Sequence, residues 1–145
     1  MLRDNDWLEG ELEGLLRGSF SDIEIINPIL IKFGRRARTR FGSIRLLSGG
    51  ESSIQINGVF KDPEVPAEVA RVTIAHELAH YAHGFSSKHE QAHDHPHRGG
   101  VVDRELAQRG LGTELKLQKR WIKETWPKMA PKPVRRRRRK VYRWI

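Results

Sequence analysis

The spacing of apolar residues predicts a helix near the start of the chain, from about Asp6 to Arg17. Apolar side chains recur there every three or four positions, which is the period of one helical face. Glutamates lie in the early turns, where the helix dipole favours negative charge, and Gly18 can end the helix. The apolar positions are Trp7, Leu8, Leu12, Leu15 and Leu16.

Between residues 23 and 57 the pattern changes to short β-branched runs separated by turn residues. Ile29–Phe33, Ser43–Leu47 and Ser53–Ile56 are therefore predicted as three strands. Their short connections favour antiparallel pairing, with one face of the sheet covered. Arginines crowd the first connection, which we interpret as a solvated loop rather than a substrate or nucleic-acid contact. They are Arg35, Arg36, Arg38 and Arg40.

A central helix is predicted from Pro66 to about His83. Proline is favoured in the first turn of a helix, and Gly84 is a typical C-terminal stop. Apolar residues lie all around this helix, which indicates that it is mostly buried. They include Val69, Val72, Ile74 and Leu78.

Two further helices are predicted, from Arg98 to Arg109 and from Thr113 to Trp126, after a loop at 85–97 that has no periodicity. The fold class is therefore α+β. Its predicted layout is an N-terminal helix, a three-stranded mainly antiparallel sheet, the central helix, two further helices and a basic C-terminal tail.

Composition limits the size of the fold and the kind of metal site. A chain of 145 residues with 37% hydrophobic residues is long enough for one compact domain, which we place at 1–126, and an appended tail at 127–145. There is no cysteine. Any bound metal must therefore be held by His, Asp or Glu side chains.

The net charge of +9 lies in the tail. Residues 127–145 contain nine of the 27 Lys and Arg and none of the 18 Asp and Glu, so residues 1–126 are neutral. A basic run beside Tyr142 and Trp144 can neutralise phosphates and stack on exposed bases. We expect nucleic acid as its partner, and the alternative is a solvated tail, or one that docks on its own domain or on an acidic partner. The run is Arg135, Arg136, Arg137, Arg138, Arg139 and Lys140.

The sequence shows no feature of a secreted or membrane protein. The first residues lack an apolar run behind a basic patch, so we expect no secretory signal. No apolar stretch approaches the roughly 20 residues that cross a bilayer. We expect a monomeric cytoplasmic protein without a membrane partner.

The candidate chemistry lies in His76-Glu-Leu-Ala-His80 of the central helix. Histidines four positions apart lie on one helical face, so both imidazoles can reach one zinc ion at about 2.0–2.1 Å. Glu77 is rotated by about 100° from the first histidine and can reach a water without being a ligand. This HExxH spacing is typical of zinc peptidases that use the glutamate as general base. The alternative is that these are ordinary helix residues.

A catalytic zinc needs a third protein ligand, and the sequence offers several. His97 precedes Arg-Gly-Gly and begins a predicted helix, where it can be held rigidly against the central helix. His95 is the second choice, and Glu105 would be the ligand if the third donor came from the middle of that helix. His83, His89 and His93 are less suitable, because they lean to the wrong side or lie in mid-loop.

Residues from about Ile29 to Leu111 resemble the SprT-like (Spartan-type) zinc metallopeptidase domain. Three segments carry the resemblance. They are the arginine-rich stretch leading to Phe41-Gly-Ser-Ile-Arg and Ile54-Gln-Ile-Asn57, Pro66 through His76-Glu-Leu-Ala-His-Tyr81, and His97-Arg-Gly-Gly-Val101.

The resemblance implies a three-stranded sheet over an active-site helix, His97 as the third zinc ligand, and a protein or peptide substrate. For the better-known members of the family it implies cleavage of proteins crosslinked to DNA. Many members also carry a four-cysteine zinc ribbon that binds DNA. Since this sequence has no cysteine, the basic tail would take that role.

Three functions therefore compete. The first is a zinc-dependent endopeptidase with Glu77 as general base, acting on peptides or on DNA-associated proteins. The second is a non-catalytic His-rich protein that stores or senses metal. The third is a nucleic-acid-binding module that uses the basic tail, in which the HExxH pattern is incidental.

Overall fold

The computed structural model describes residues 1–89, 91 and 100–133. It confirms the α+β class, with an N-terminal helix, a three-stranded sheet and further helices. No helix among the described residues is long and apolar enough to span a bilayer. The elements are α1 (Asn5–Arg17), β1 (Ile29–Phe33), β2 (Gly42–Leu46), β3 (Ser52–Ile56), α2 (Ala67–Ala82), α3 (Val101–Leu106), α4 (Gly112–Glu124) and α5 (Trp126–Met129).

The central helix α2 begins and ends close to its predicted limits. Pro66 precedes its first residue. After its end, Gly84 has a φ of 78°, a left-handed conformation that glycine adopts without steric cost. Ile74 and Leu78 are fully buried, because α2 packs against the sheet as well as against α1, α3 and α4. The helix that carries the HExxH pattern is thus held from several sides.

The sheet has the strand order β1-β3-β2 and is mixed. β2 and β3 form the expected antiparallel hairpin, with Ile44 opposite Ile54. β1 instead pairs with β3 in parallel, with Ile31 beside Ile54, so antiparallel pairing was the wrong expectation for this pair. The reason is that the connection from β1 to β2 passes over the end of β3, which leaves β3 in the centre of the sheet.

An aromatic cluster joins this connection to the C-terminal helices. Phe60 lies in a 3-10 turn at Gly58–Lys61 and is fully buried. Its ring centroid lies 5.7 Å from that of Phe41, 5.8 Å from that of Trp121 and 6.3 Å from that of Trp126. Because Phe41 directly precedes β2, the cluster fixes the start of that strand relative to α4 and α5.

Replacing Phe60 by alanine should lower the free energy of unfolding by about 3–5 kcal/mol, because a buried ring is lost and a cavity remains. Urea unfolding of the full chain would measure this. The matched control is Leu30→Ala, since the side chain of Leu30 is 47% exposed and its removal should cost little. Equal costs for the two variants would contradict a stabilising role of the cluster.

The predicted helix from Arg98 to Arg109 is shorter in its described part. α3 ends at Leu106 and leads into a wide π-helical turn at Ala107–Leu111, followed by α4. Gly110 has a φ of 85° within this turn, which interrupts the helical backbone. Residues 92–99, including Arg98, lie outside the described part of the chain.

The predicted tail is described only as far as Pro133. Its first residues form part of α5, and Trp126 Nε1 donates a hydrogen bond to the carbonyl oxygen of Arg38 at 3.1 Å. Arg38 Nη1 in turn donates to the carbonyl oxygen of Pro131 at 3.2 Å. The start of the tail therefore lies against the arginine-rich connection, while the basic run at 135–140 lies outside the described residues.

Candidate metal centre and catalytic cleft

The two histidines of the HExxH pattern direct their Nε2 atoms to one place. The Nε2 atoms of His76 and His80 lie 3.0 Å apart, and His80 is only 2% exposed. Two nitrogens bound to one tetrahedral zinc at 2.0–2.1 Å would be about 3.3 Å apart. The pair is thus already close to the spacing that a shared ion requires, as the i, i+4 spacing predicts.

Glu77 lies beside this pair, beneath the first residue of β2. Gly42 approaches α2 so closely that a Cβ there would lie 2.9 Å from Thr73 Cγ2 and 3.3 Å from Glu77 Oε1. A larger residue at this position would displace the carboxylate. Gly42 directly precedes the predicted strand Ser43–Leu47, and nothing in its local sequence indicates this contact.

The carboxyl group of Glu77 is buried and has a raised pKa. It is 5% exposed, and burial raises its pKa from the usual value to about 7, although the nearby positive charge of Arg40 opposes the shift. A general base works best when its pKa is near the working pH. A cation beside this carboxylate would lower the pKa again, because positive charge favours the ionised form.

The alternative third ligands on the described residues are engaged elsewhere. His83 Nε2 and Glu105 Oε1 lie 2.9 Å apart, which ties the end of α2 to α3. His89 Nε2 donates to the carbonyl oxygen of Glu24 at 2.6 Å. His83, His89 and Glu105 therefore have contacts that compete with metal binding.

Over residues 1–89, 91 and 100–133, no three His, Asp or Glu side chains form a group that could hold a metal ion. Glu77 is therefore not grouped with the histidine pair among the described residues. The remaining candidates for the third ligand are His93, His95 and His97, and all three lie outside the described residues.

The site opens into a cleft made of two cavities that share lining residues. The larger cavity, of about 540 Å³, has Leu115 and Ile122 of α4 in its wall. The smaller, of about 410 Å³, runs along β2 and is lined by Phe85. Arg40, Gly42, His76 and Glu77 line both cavities.

The outer edge of β2 borders the smaller cavity. The strand order places β2 at one side of the sheet, and no strand of the described chain pairs with its outer edge. An extended peptide can pair with such an edge through main-chain hydrogen bonds. The cleft is therefore bordered by an edge strand with which an extended peptide could pair.

The arginine-rich connection keeps its arginines exposed, as a solvated loop predicts, but its backbone is held by one buried asparagine. Asn57, which is 4% exposed, donates from Nδ2 to the carbonyl oxygens of Ala37 at 2.7 Å and Arg40 at 2.9 Å. Its Oδ1 accepts from the amides of Ala37 at 3.2 Å and Val59 at 3.0 Å. Asn57 belongs to a segment that carries the family resemblance, but the sequence predicts no structural role for it beyond the turn signal of the Asn-Gly pair.

Comparison of the chain with protein-family profiles, with curated proteins and with solved structures found no match. The resemblance to the SprT-like domain remains a prediction from the sequence.

Proposed function

We propose that this chain is a zinc-dependent endopeptidase with Glu77 as its general base. The observation that carries the proposal is the 3.0 Å separation of the His76 and His80 Nε2 atoms, with a buried carboxylate next to them that does not join the pair. Two imidazoles at this spacing fit the donor set of a catalytic zinc. As the third ligand we propose His97, with His95 as the alternative.

Bound zinc would supply a Lewis acid for the scissile carbonyl and lower the pKa of the attacking water. The chain's own residues do the rest. Glu77 takes a proton from the water as it attacks and passes this proton to the leaving amine nitrogen. The walls of the cleft and the edge of β2 hold the peptide extended across the site.

The proposed substrate is a protein segment in an extended conformation. Glu77 lines two cavities, and a substrate that occupies both favours cleavage within a chain over removal of a terminal residue. The nine basic residues at 127–145 favour substrates held near nucleic acid, because such a run binds phosphates. DNA-associated proteins are therefore the substrate class that we propose.

An unfolded protein substrate should be cut by the zinc-loaded chain, and a chelator such as 1,10-phenanthroline should abolish cleavage because the Lewis acid is removed. Added zinc should restore it. Gel electrophoresis and mass spectrometry of the fragments would measure both effects. Cleavage that persists after verified removal of the metal would contradict the proposal.

A further inference from the structure

Arg40 lies in the part of the cleft that the two cavities share. It lines both cavities, together with His76 and Glu77. A ligand in either cavity that reaches the candidate catalytic residues therefore also reaches this arginine. None of the other arginines of the connection lines these two cavities.

The backbone of Arg40 is held in place before any ligand binds. Its carbonyl oxygen accepts the hydrogen bond from Asn57 Nδ2 at 2.9 Å. The next carbonyl oxygen, that of Phe41, accepts from the Asn57 amide at 2.8 Å. Ordering of a loop costs conformational entropy, and here that cost is already met by folding. The loop thus presents Arg40 on a rigid base.

The side chain of Arg40 is not committed to a partner within the fold. Among the described residues it makes no hydrogen bond and no ion pair, although its charge acts on Glu77. Arg38, in contrast, donates to the carbonyl oxygen of Pro131. In the larger cavity Lys119 is paired with Asp103, with 3.1 Å between Nζ and Oδ2.

The charged residues that line the smaller cavity give it a net positive charge. In the smaller cavity Arg40 and Arg45 are the cationic residues, and Glu77 is the acid among its lining residues. A guanidinium group offers a planar fork of donors that matches the two oxygens of a carboxylate. It keeps its charge at any physiological pH, so it binds anions and does not transfer protons.

We propose that Arg40 is a specificity residue that binds the carboxylate of an aspartate or glutamate side chain next to the scissile bond. This inference rests on the proposed peptidase function. The proposed carboxylate is that of a side chain and not of a chain terminus, because Arg40 lines both cavities and a chain that occupies both has its termini elsewhere. Substrates with an acidic residue beside the cleavage point would thus be preferred.

The test uses paired peptides that differ only by Glu or Gln at the positions flanking the bond, each with a free or an amidated C-terminus. Cleavage by the zinc-loaded chain gives kcat/KM, and binding to the full-length Glu77→Gln chain is measured by fluorescence anisotropy without turnover. We expect the Glu peptide to be favoured roughly tenfold at low salt, and less so as salt is added.

The decisive variant is Arg40→Gln, made in both the active and the Glu77→Gln chain. The ratio between Glu and Gln peptides should fall to about one, because a neutral amide no longer discriminates between them. The control is Arg120→Gln, since Arg120 is exposed on α4 and lines neither cavity. This control should leave the ratio unchanged.

The outcomes separate this inference from the function on which it rests. A Glu-to-Gln ratio near one in the wild type overturns the inference even if all peptides are cut. A preference for the Glu peptide that persists in Arg40→Gln overturns it as well. A preference that disappears when the C-terminus is amidated also overturns it, because the terminal carboxylate was then the ligand. If the anisotropy ratio is present and Arg40-dependent but no peptide is cut, recognition of an acidic side chain by Arg40 stands, while the peptidase function fails and with it the assignment of this contact to a scissile bond.

Discussion

Replacing Glu77 by glutamine is expected to lower kcat for peptide hydrolysis by roughly 10²- to 10⁴-fold, while bound zinc is retained. Glutamine has nearly the same shape but cannot accept a proton from the attacking water. Since Glu77 does not join the histidine pair in the described part of the chain, its replacement should not remove a ligand. The effect should therefore appear in kcat and not in the metal content.

Steady-state kinetics on a quenched fluorescent peptide, together with elemental analysis of the same samples, would measure both quantities. The matched control is Glu68→Gln, because Glu68 lies on the same helix in its first turn and outside the lining of the cleft. An unchanged kcat in Glu77→Gln would remove this residue from the mechanism. Loss of zinc in this variant would make Glu77 a ligand instead.

These measurements, together with a truncated chain and a His76→Ala variant, separate the competing functions. A protein that stores metal with its many histidines would bind more than one zinc per chain, and Glu77→Gln would change nothing. A nucleic-acid-binding module would lose its function on truncation at Pro127 and would tolerate His76→Ala. The peptidase proposal differs from both because it couples one zinc to one carboxylate.

Local patterns in the sequence predicted most of the fold. The limits of α2 follow from Pro66 and Gly84, whose backbone preferences act over a few residues. The three strands likewise follow from β-branched runs between turns. The parallel pairing of β1 with β3 did not follow, because it depends on which strand occupies the centre of the sheet, and this is decided by tertiary packing.

The sequence likewise predicted one part of the candidate site and not another. The approach of the His76 and His80 Nε2 atoms follows from the i, i+4 spacing on one helix. The third ligand did not follow, because histidines in an aperiodic segment carry no positional information. His83 contacts Glu105 in the structure. This contact joins two helices and cannot be predicted from either sequence segment alone.

Arg40 shows what a charge pattern alone leaves out. Its side chain is exposed, as are those of Arg35, Arg36 and Arg38, which agrees with a solvated loop. Its backbone, however, is held by the buried side-chain amide of Asn57, which is 17 residues away in the sequence, and its charge acts on Glu77. Pairwise contacts of this kind define the cleft, and no periodic pattern encodes them.

The central claim is that His76 and His80 hold one metal ion together, and replacing His80 by alanine tests it most directly. His76 without His80 is too weak a donor set to hold the ion, so both zinc binding and peptide cleavage should disappear. Circular dichroism should confirm that the variant is folded, because His80 is buried. The matched control is His89→Ala, since His89 Nε2 donates to the carbonyl oxygen of Glu24 and is not proposed as a ligand.

Elemental analysis of the purified full-length proteins gives the answer. We predict about one zinc per chain in the wild type and in His89→Ala, and close to none in folded His80→Ala. Full zinc occupancy in folded His80→Ala, or no zinc in the wild type after zinc is supplied, would contradict a shared ion at this histidine pair.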